Sequence, residues 1–305
     1  MFALKPDLSV NLNGITLKNP LIAASGTFGY GWEFAPYFNP GILGGICSKG
    51  LTLNPREGNS GNRMWETPAG MLNSIGLQNP GVEHFIRHEL KVMRGFGTAV
   101  IANMGGATLE EYVEGAKLLN EAPIDILELN ISCPNVKAGG AAFGIHADTA
   151  EQVVSAVRAV FTKPMMVKLS PNATNIVDVA KACESAGADS LSLINTLLGM
   201  AIDINRRAPV FKNVVAGLSG PAVRPVALRM VYDVSRAVKL PVVGLGGIMT
   251  GQDAIEFIMA GACAVQVGTA NFTRPDAMPV ILAELEEFMV EKGINNLEEI
   301  RGCVH

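Results

Sequence analysis

The stretch GLGGIMTGQDAIEFIMAGACAVQVGTA, residues 244–270, holds a complete strand–helix–strand unit. Gly246-Gly247 closes one apolar run, Thr250 with Asp253 three residues on reads as a helix start, and Ala260-Gly261-Ala262 reads as its stop. The next run ends at Gly268-Thr269. Both runs are largely apolar rather than alternating, as expected of strands buried on both faces of a parallel sheet. Glycine lets backbone amides approach an anion closely, so glycine pairs at successive strand ends suit a phosphate. Two tight turns would need the same residues, but the one-unit spacing of the pairs favours the phosphate.

Outward from this unit the same rhythm recurs. Apolar runs occur at 21–25, 44–50, 99–104, 125–130, 164–169, 190–195, 241–247 and 264–269, separated by helical patterns. Thr149 with Gln152 ahead of VVSAVRAV reads as a further capping box, and Ala186-Gly187-Ala188 as a further helix stop. Eight alternations predict a (β/α)8 TIM barrel, residues 1–305 forming a single domain, with a doubly wound sheet as the competing arrangement. Ser25, Lys49, Asn103, Asn130, Lys168 and Asn195 decide between them, because each closes a different predicted strand. A ring of polar residues at the C-terminal ends of strands is where a barrel builds its site. Alternation around Asn13-Gly14 predicts an N-terminal β-hairpin that caps the fold. Segments 52–80 and 197–220 break the rhythm and read as inserted loops over the C-terminal face of the strands.

Composition narrows the function. The 305 residues are 49% hydrophobic and only 17% charged, with a formal net charge of −4. The balance suits a large core and lacks the basic footprint of nucleic-acid binding. No apolar run approaches a membrane span and the N-terminus lacks a signal-peptide pattern, so a soluble cytoplasmic protein is expected. The five cysteines are odd in number and form neither a CxxC nor a Cys/His cluster, so neither a disulfide framework nor a metal site is indicated.

Several residues could carry chemistry. Lys168 closes an apolar strand, where it meets either a carboxylate such as Glu128 or a cofactor ring that gathers negative charge on reduction. Lys49 poses the same choice with a small acidic substrate. Asn73, Asn130 and Asn195 donate and accept at once, and with Thr196 would suit a flat carboxylated heterocycle. Cys47, Cys183 and Cys263 lie within apolar runs and read as buried, inert hydrophobes. Cys133 lies beyond its strand among polar neighbours, where Lys137 would favour a thiolate and Gly139-Gly140 would permit a hinged lid.

NPLIAASGTFGYG, SKGLT, NSIGLQNPG, NISCPN, VKLSPN, INT, GLSGP, GLGGI and QVGTA follow one another along the chain. In this order they resemble the class 1 dihydroorotate dehydrogenases over essentially the whole length. NVKAGGAAFG after the cysteine and FGYG near the start resemble the NAD-linked subclass 1B rather than the fumarate-using subclass 1A. The resemblance implies an FMN-binding barrel that oxidises dihydroorotate to orotate in pyrimidine biosynthesis. It implies Cys133 as the general base. Lys49, Asn73, Ser74, Ile75, Gly76, Leu77, Asn130, Asn195 and Thr196 would hold the substrate. Ser25, Lys49, Gly50, Asn103, Asn130, Lys168, Ile194, Gly220, Gly246, Gly247, Gly268 and Thr269 would hold FMN. It further implies a homodimer core within a heterotetramer, the partner subunit carrying FAD and a [2Fe–2S] cluster, and a lid with the subclass marker at 133–144. The competing readings are a fumarate-dependent 1A-like enzyme and a phosphate-binding barrel of another class, an isomerase or a metabolite-binding protein.

Overall fold

A computed structural model describes residues 5–132 and 143–305. Its centre is a closed parallel barrel of strands β1 (Leu21–Ala23), β2 (Gly45–Cys47), β3 (Ala99–Met104), β4 (Ile126–Asn130), β5 (Met165–Lys168), β6 (Ser190–Leu193), β7 (Val242–Leu245) and β8 (Ala264–Val267). Neighbours in sequence are neighbours in the barrel, and β8 closes onto β1 through the Val265–Leu21 pairing. The eight apolar runs are these strands, and the doubly wound alternative is excluded by closure. Almost every residue in them is buried, because the barrel interior covers one face and the helices the other.

The helical shell follows the start and stop signals in most places. Thr250 and Asp253 form the reciprocal capping box ahead of helix Gly251–Met259. Gly187 and Gly261 follow the helices Ile176–Ser185 and Gly251–Met259 at φ of 96° and 108°, where a side chain would be strained. The box expected at Thr149 does not form. That helix starts earlier, at Ala147 behind His146, and the Thr149 hydroxyl donates back to the carbonyls of Phe143 and His146.

Asn13 and Gly14, at φ of 57° and 82°, turn the hairpin Val10–Leu12/Ile15–Leu17. Leu12 and Leu17 are buried, and Asn13 Nδ2 donates to Ser190 Oγ at the start of β6. The hairpin therefore caps the end of the barrel opposite the strand-end ring.

The two inserted segments are more ordered than loops. Met64–Thr67, Gly70–Asn73, Val215–Ser219 and Leu197–Met200 pair into one antiparallel sheet, with Leu218 opposite Leu72 and Leu197 opposite Leu218. Leu72, Val210, Phe211 and Ala216 give it a small core of its own. Each insertion supplies strands the other needs, which neither segment's local pattern discloses. No helix among the described residues is long and apolar enough to cross a membrane.

Candidate active site

The C-terminal ends of the strands bring most of the expected residues into one ring. Asn103 and Lys168 are buried at the ends of β3 and β5, and both reach Glu128. Asn103 Nδ2 donates to Glu128 Oε2 at 2.6 Å, and Lys168 Nζ stands 3.8 Å from the same oxygen. Both readings offered for Lys168 therefore remain compatible, since its pairing with Glu128 leaves it at the barrel mouth. Asn103 Oδ1 is buried with no hydrogen-bond partner. A Cβ added at Gly50 would lie 3.0 Å from that oxygen, 3.2 Å from Leu77 and 3.9 Å from Ser25 Oγ. Ser25, Gly50, Leu77 and Asn103 are thus drawn together around an acceptor that lacks a donor.

On the next strands Asn130 Oδ1 accepts from the Ser132 amide and hydroxyl, at 3.2 and 2.6 Å, and from Asn195 Nδ2 at 3.4 Å. Asn195 Nδ2 also donates to Ser132 Oγ. Tyr112 fixes the backbone beneath by donating to the Asn130 carbonyl at 2.8 Å. Asn172 holds the far side: its amide donates to the Thr196 carbonyl and its oxygen accepts from the Leu198 amide. The strand extension brings in the remainder, since Asn73 Nδ2 donates to the Gly217 carbonyl at 3.3 Å and Gly217 packs on Thr196.

The loop from Ser74 to Leu77 is braced from behind. Asn59 donates to the Ser74 carbonyl and hydroxyl and to the Ile75 carbonyl. Arg63 clamps Asn59, Gln78 and Glu57. Gly76 and Leu77 take positive φ of 77° and 54°, and a Cβ at Gly76 would strike Asn59, so glycine is needed there. Lys49 is half-buried, and its ammonium is pushed below the ordinary lysine value by burial, which Glu33 opposes and Arg63 reinforces.

The glycine pairs form a separate cradle beside this ring. A Cβ on Gly220 would lie 2.7 Å from Gly70 Cα and 3.4 Å from Thr269 Cγ2, while one on Gly247 would lie 2.7 Å from the Gly220 carbonyl. Gly246 faces Ile194, and Gly268 faces Ala24 and Thr27 at the end of β1. Thr269 Oγ1 donates to Ser219 Oγ at 2.9 Å. Backbone at this spacing, at the ends of β7 and β8, suits a phosphate group. The unpartnered Asn103 oxygen and the Lys168 ammonium suit a planar ring that offers an N–H and gathers negative charge. The residues present therefore fit a flavin mononucleotide.

Cys133 lies outside the described residues, as does the expected lid as far as residue 142. Cys47, Cys183 and Cys263 are buried as expected, but Cys47 is not a mere hydrophobe: its thiol donates to Glu128 Oε2 at 3.1 Å. Sequence reasoning also passed over Ser192 and Gln266, which donate to Glu128 Oε1 at 2.8 and 2.6 Å. A polar residue inside an apolar parallel strand is their shared signal, in SLSLIN and AVQVGT alike. Among the described residues no group of His, Cys, Asp and Glu is placed to hold a metal ion.

The family model described as dihydroorotate dehydrogenase matches residues 7–289. A protein of Petrotoga mobilis named dihydroorotate dehydrogenase B (NAD(+)), catalytic subunit, is 56% identical over 298 residues, covering 98% of this chain and 99% of its own. Proteins of the same name from Geotalea uraniireducens and Geobacter sulfurreducens are 55% and 56% identical over 301 residues, with the same shares covered.

Proposed function

The chain belongs to the dihydroorotate dehydrogenase family, and from that premise we propose that it is the catalytic subunit of an NAD-linked enzyme that oxidises dihydroorotate to orotate in pyrimidine biosynthesis. The observation that carries the reading is the convergence at the barrel mouth of a donorless buried amide oxygen on Asn103, the Lys168 ammonium and the glycine cradle. Bound FMN would supply the acceptor for the hydride leaving C6 of the substrate.

The chain's own residues do the rest. Gly220, Gly246, Gly247, Gly268 and Thr269 would hold the phosphate, with Ile194 packed against Gly246. Ser25, Lys49, Gly50, Asn103 and Asn130 would line the ring. Lys168 would place its positive charge where the ring gathers negative charge. Asn73, Asn130, Asn195 and Thr196, with the braced segment Ser74–Ile75–Gly76–Leu77, would orient the flat substrate through amide donors and acceptors. Lys49 would meet its carboxylate. Cys133, as its thiolate, would take the proton from C5 and become the neutral thiol, an exchange a cysteine can make near neutral pH.

Electrons would pass to NAD through a partner subunit carrying FAD and a [2Fe–2S] cluster, around a homodimer of catalytic chains in the cytoplasm. The name of the relatives, a catalytic subunit, supports a partner.

An anaerobic titration tests the reading. The protein is expected to be yellow and to bleach on adding dihydroorotate, with NAD restoring the colour only when the iron–sulfur partner is present. A colourless chain that takes up no FMN would overturn it, and rapid turnover with fumarate by the isolated chain would overturn the NAD assignment. Cys133→Ala is expected to lose at least about a hundredfold in turnover at neutral pH while keeping its FMN.

A further inference from the structure

Glu128 is a fully buried carboxylate one layer below Asn130 in β4. Residues two apart in a strand share a face, so both side chains point to the barrel interior. Strands β2, β3, β5, β6 and β8 all reach it. Oε2 accepts from Cys47 Sγ at 3.1 Å and Asn103 Nδ2 at 2.6 Å, and stands 3.8 Å from Lys168 Nζ. Oε1 accepts from Ser192 Oγ at 2.8 Å and Gln266 Nε2 at 2.6 Å. With donors on both oxygens the group is held as the anion. Burial pushes its pKa up, but the Lys168 charge and the hydrogen bonds from Gln266, Asn103 and Cys47 outweigh burial and hold it below the ordinary carboxylate value.

Two of these partners, Asn103 and Lys168, are the residues that would face the flavin ring. A fixed negative charge directly behind them, out of water, acts with little screening. We propose that Glu128 is a positioning residue for the flavin chemistry: it aims the Lys168 ammonium and the Asn103 amide at the ring, and as their fixed counter-charge it keeps the flavin's reduction potential lower than Lys168 alone would set it. The inference rests on the reading of Lys168 and Asn103 as flavin-facing.

The alternative is a purely structural knot that ties strands together, and charge separates the two. Glu128→Gln removes the charge and can be re-paired. Gln266 Oε1 is buried without a partner, so that amide can turn over to accept, and the Ser192 hydroxyl accepts as readily as it donates. Ser192→Ala leaves the charge and removes one hydrogen bond.

The measurement is the anaerobic redox potential of the bound flavin in FMN-loaded protein. Glu128→Gln is expected to raise it, favouring the reduced flavin on the order of tenfold, which for a two-electron couple is about 30 mV. Ser192→Ala is expected to leave the potential where it is. Where Glu128→Gln alone does not fold, the same charge is read in a second background. There Glu128→Gln/Lys168→Gln is expected to show a higher potential than Lys168→Gln. A potential that is unchanged or lower on loss of the carboxylate, or an equal shift in Ser192→Ala, overturns the inference while leaving the flavin reading intact. A wild-type chain that takes up no FMN overturns the flavin reading, and this inference with it.

Discussion

At the scale of single residues the described thiols divide by environment. Cys183 and Cys263 are pushed up by burial to about 12 and about 11, and Cys47 is pushed up by burial and by Glu128, whereas Cys303 is exposed. Thiolate, not thiol, is the nucleophile. Alkylation of the native protein at pH 8, mapped by mass spectrometry, is therefore expected to mark Cys303 among these four and to spare Cys47, Cys183 and Cys263 until the chain is unfolded. The same shifts set a pH dependence. A thiol whose folded pKa exceeds its ordinary 9.0 stabilises the fold below that pH, and the contribution is lost as pH climbs from 9.0 through about 11 and about 12. Glu128 works in the opposite sense: held below its ordinary 4.5, it stabilises above that value and the contribution fades as pH falls further. Thermal melts across pH are expected to decline on both limbs, and Glu128→Gln is expected to flatten the acid limb and to touch the alkaline limb only through Cys47, whose thiol it no longer pushes up. The strand-end ring was legible in the sequence because a polar residue closing an apolar run stands out. The Glu128 hub was legible only in part. Its acid and its pairing with Lys168 were visible in the sequence, but all five of its partners lie on other strands, and barrel closure alone decides which side chains meet.

At the scale of elements, the barrel strands were readable and the extension was not, for a physical reason. Each barrel strand is buried on both faces and carries its own largely apolar run, so local pattern suffices. The extension strands are mostly intermediate or exposed rather than apolar and buried, and the pairing that joins the two insertions spans more than a hundred residues, as Leu72 finds Leu218. No local pattern encodes that pairing. The pairing nevertheless bears on the site, because Gly217 sits against Thr196 with no room for a Cβ: an added one would fall on Thr196 Oγ1. Gly217→Ala would push Thr196 out of line, and small misplacements of a positioning group are costly. The expected result is a rise in KM for dihydroorotate of about tenfold or more with FMN content per chain unchanged. Steady-state kinetics beside flavin absorbance read both quantities, and an unchanged KM would remove the extension from substrate binding.

At the scale of the whole molecule the residues proposed to hold the cofactor lie around nearly the full circumference of the barrel. They run from Ser25 after β1 through Gly50, Asn103, Asn130, Lys168 and Ile194 to the glycine pairs after β7 and β8. A ligand that touches so many strands ties the ends of the barrel together, and the unfolded chain offers no comparable site. Binding to the native state alone stabilises by RT ln(1 + [L]/Kd), or roughly 2.7 kcal/mol at a hundredfold excess over Kd. Without the ligand, the buried oxygen of Asn103 has no hydrogen-bond donor, a further cost that binding would relieve. A barrel of this size gains on the order of 2–4 °C per kcal/mol, so FMN at that excess is expected to raise the melting temperature of the stripped protein by roughly 5–10 °C. NAD at the same concentration is expected to leave it unchanged, because the nicotinamide would be reduced on the partner subunit and not in this barrel. Differential scanning calorimetry of flavin-free protein with FMN, with NAD and with neither measures all three. A shift with NAD as large as that with FMN would place a nicotinamide site on this chain and remove the need for a partner to carry the electrons.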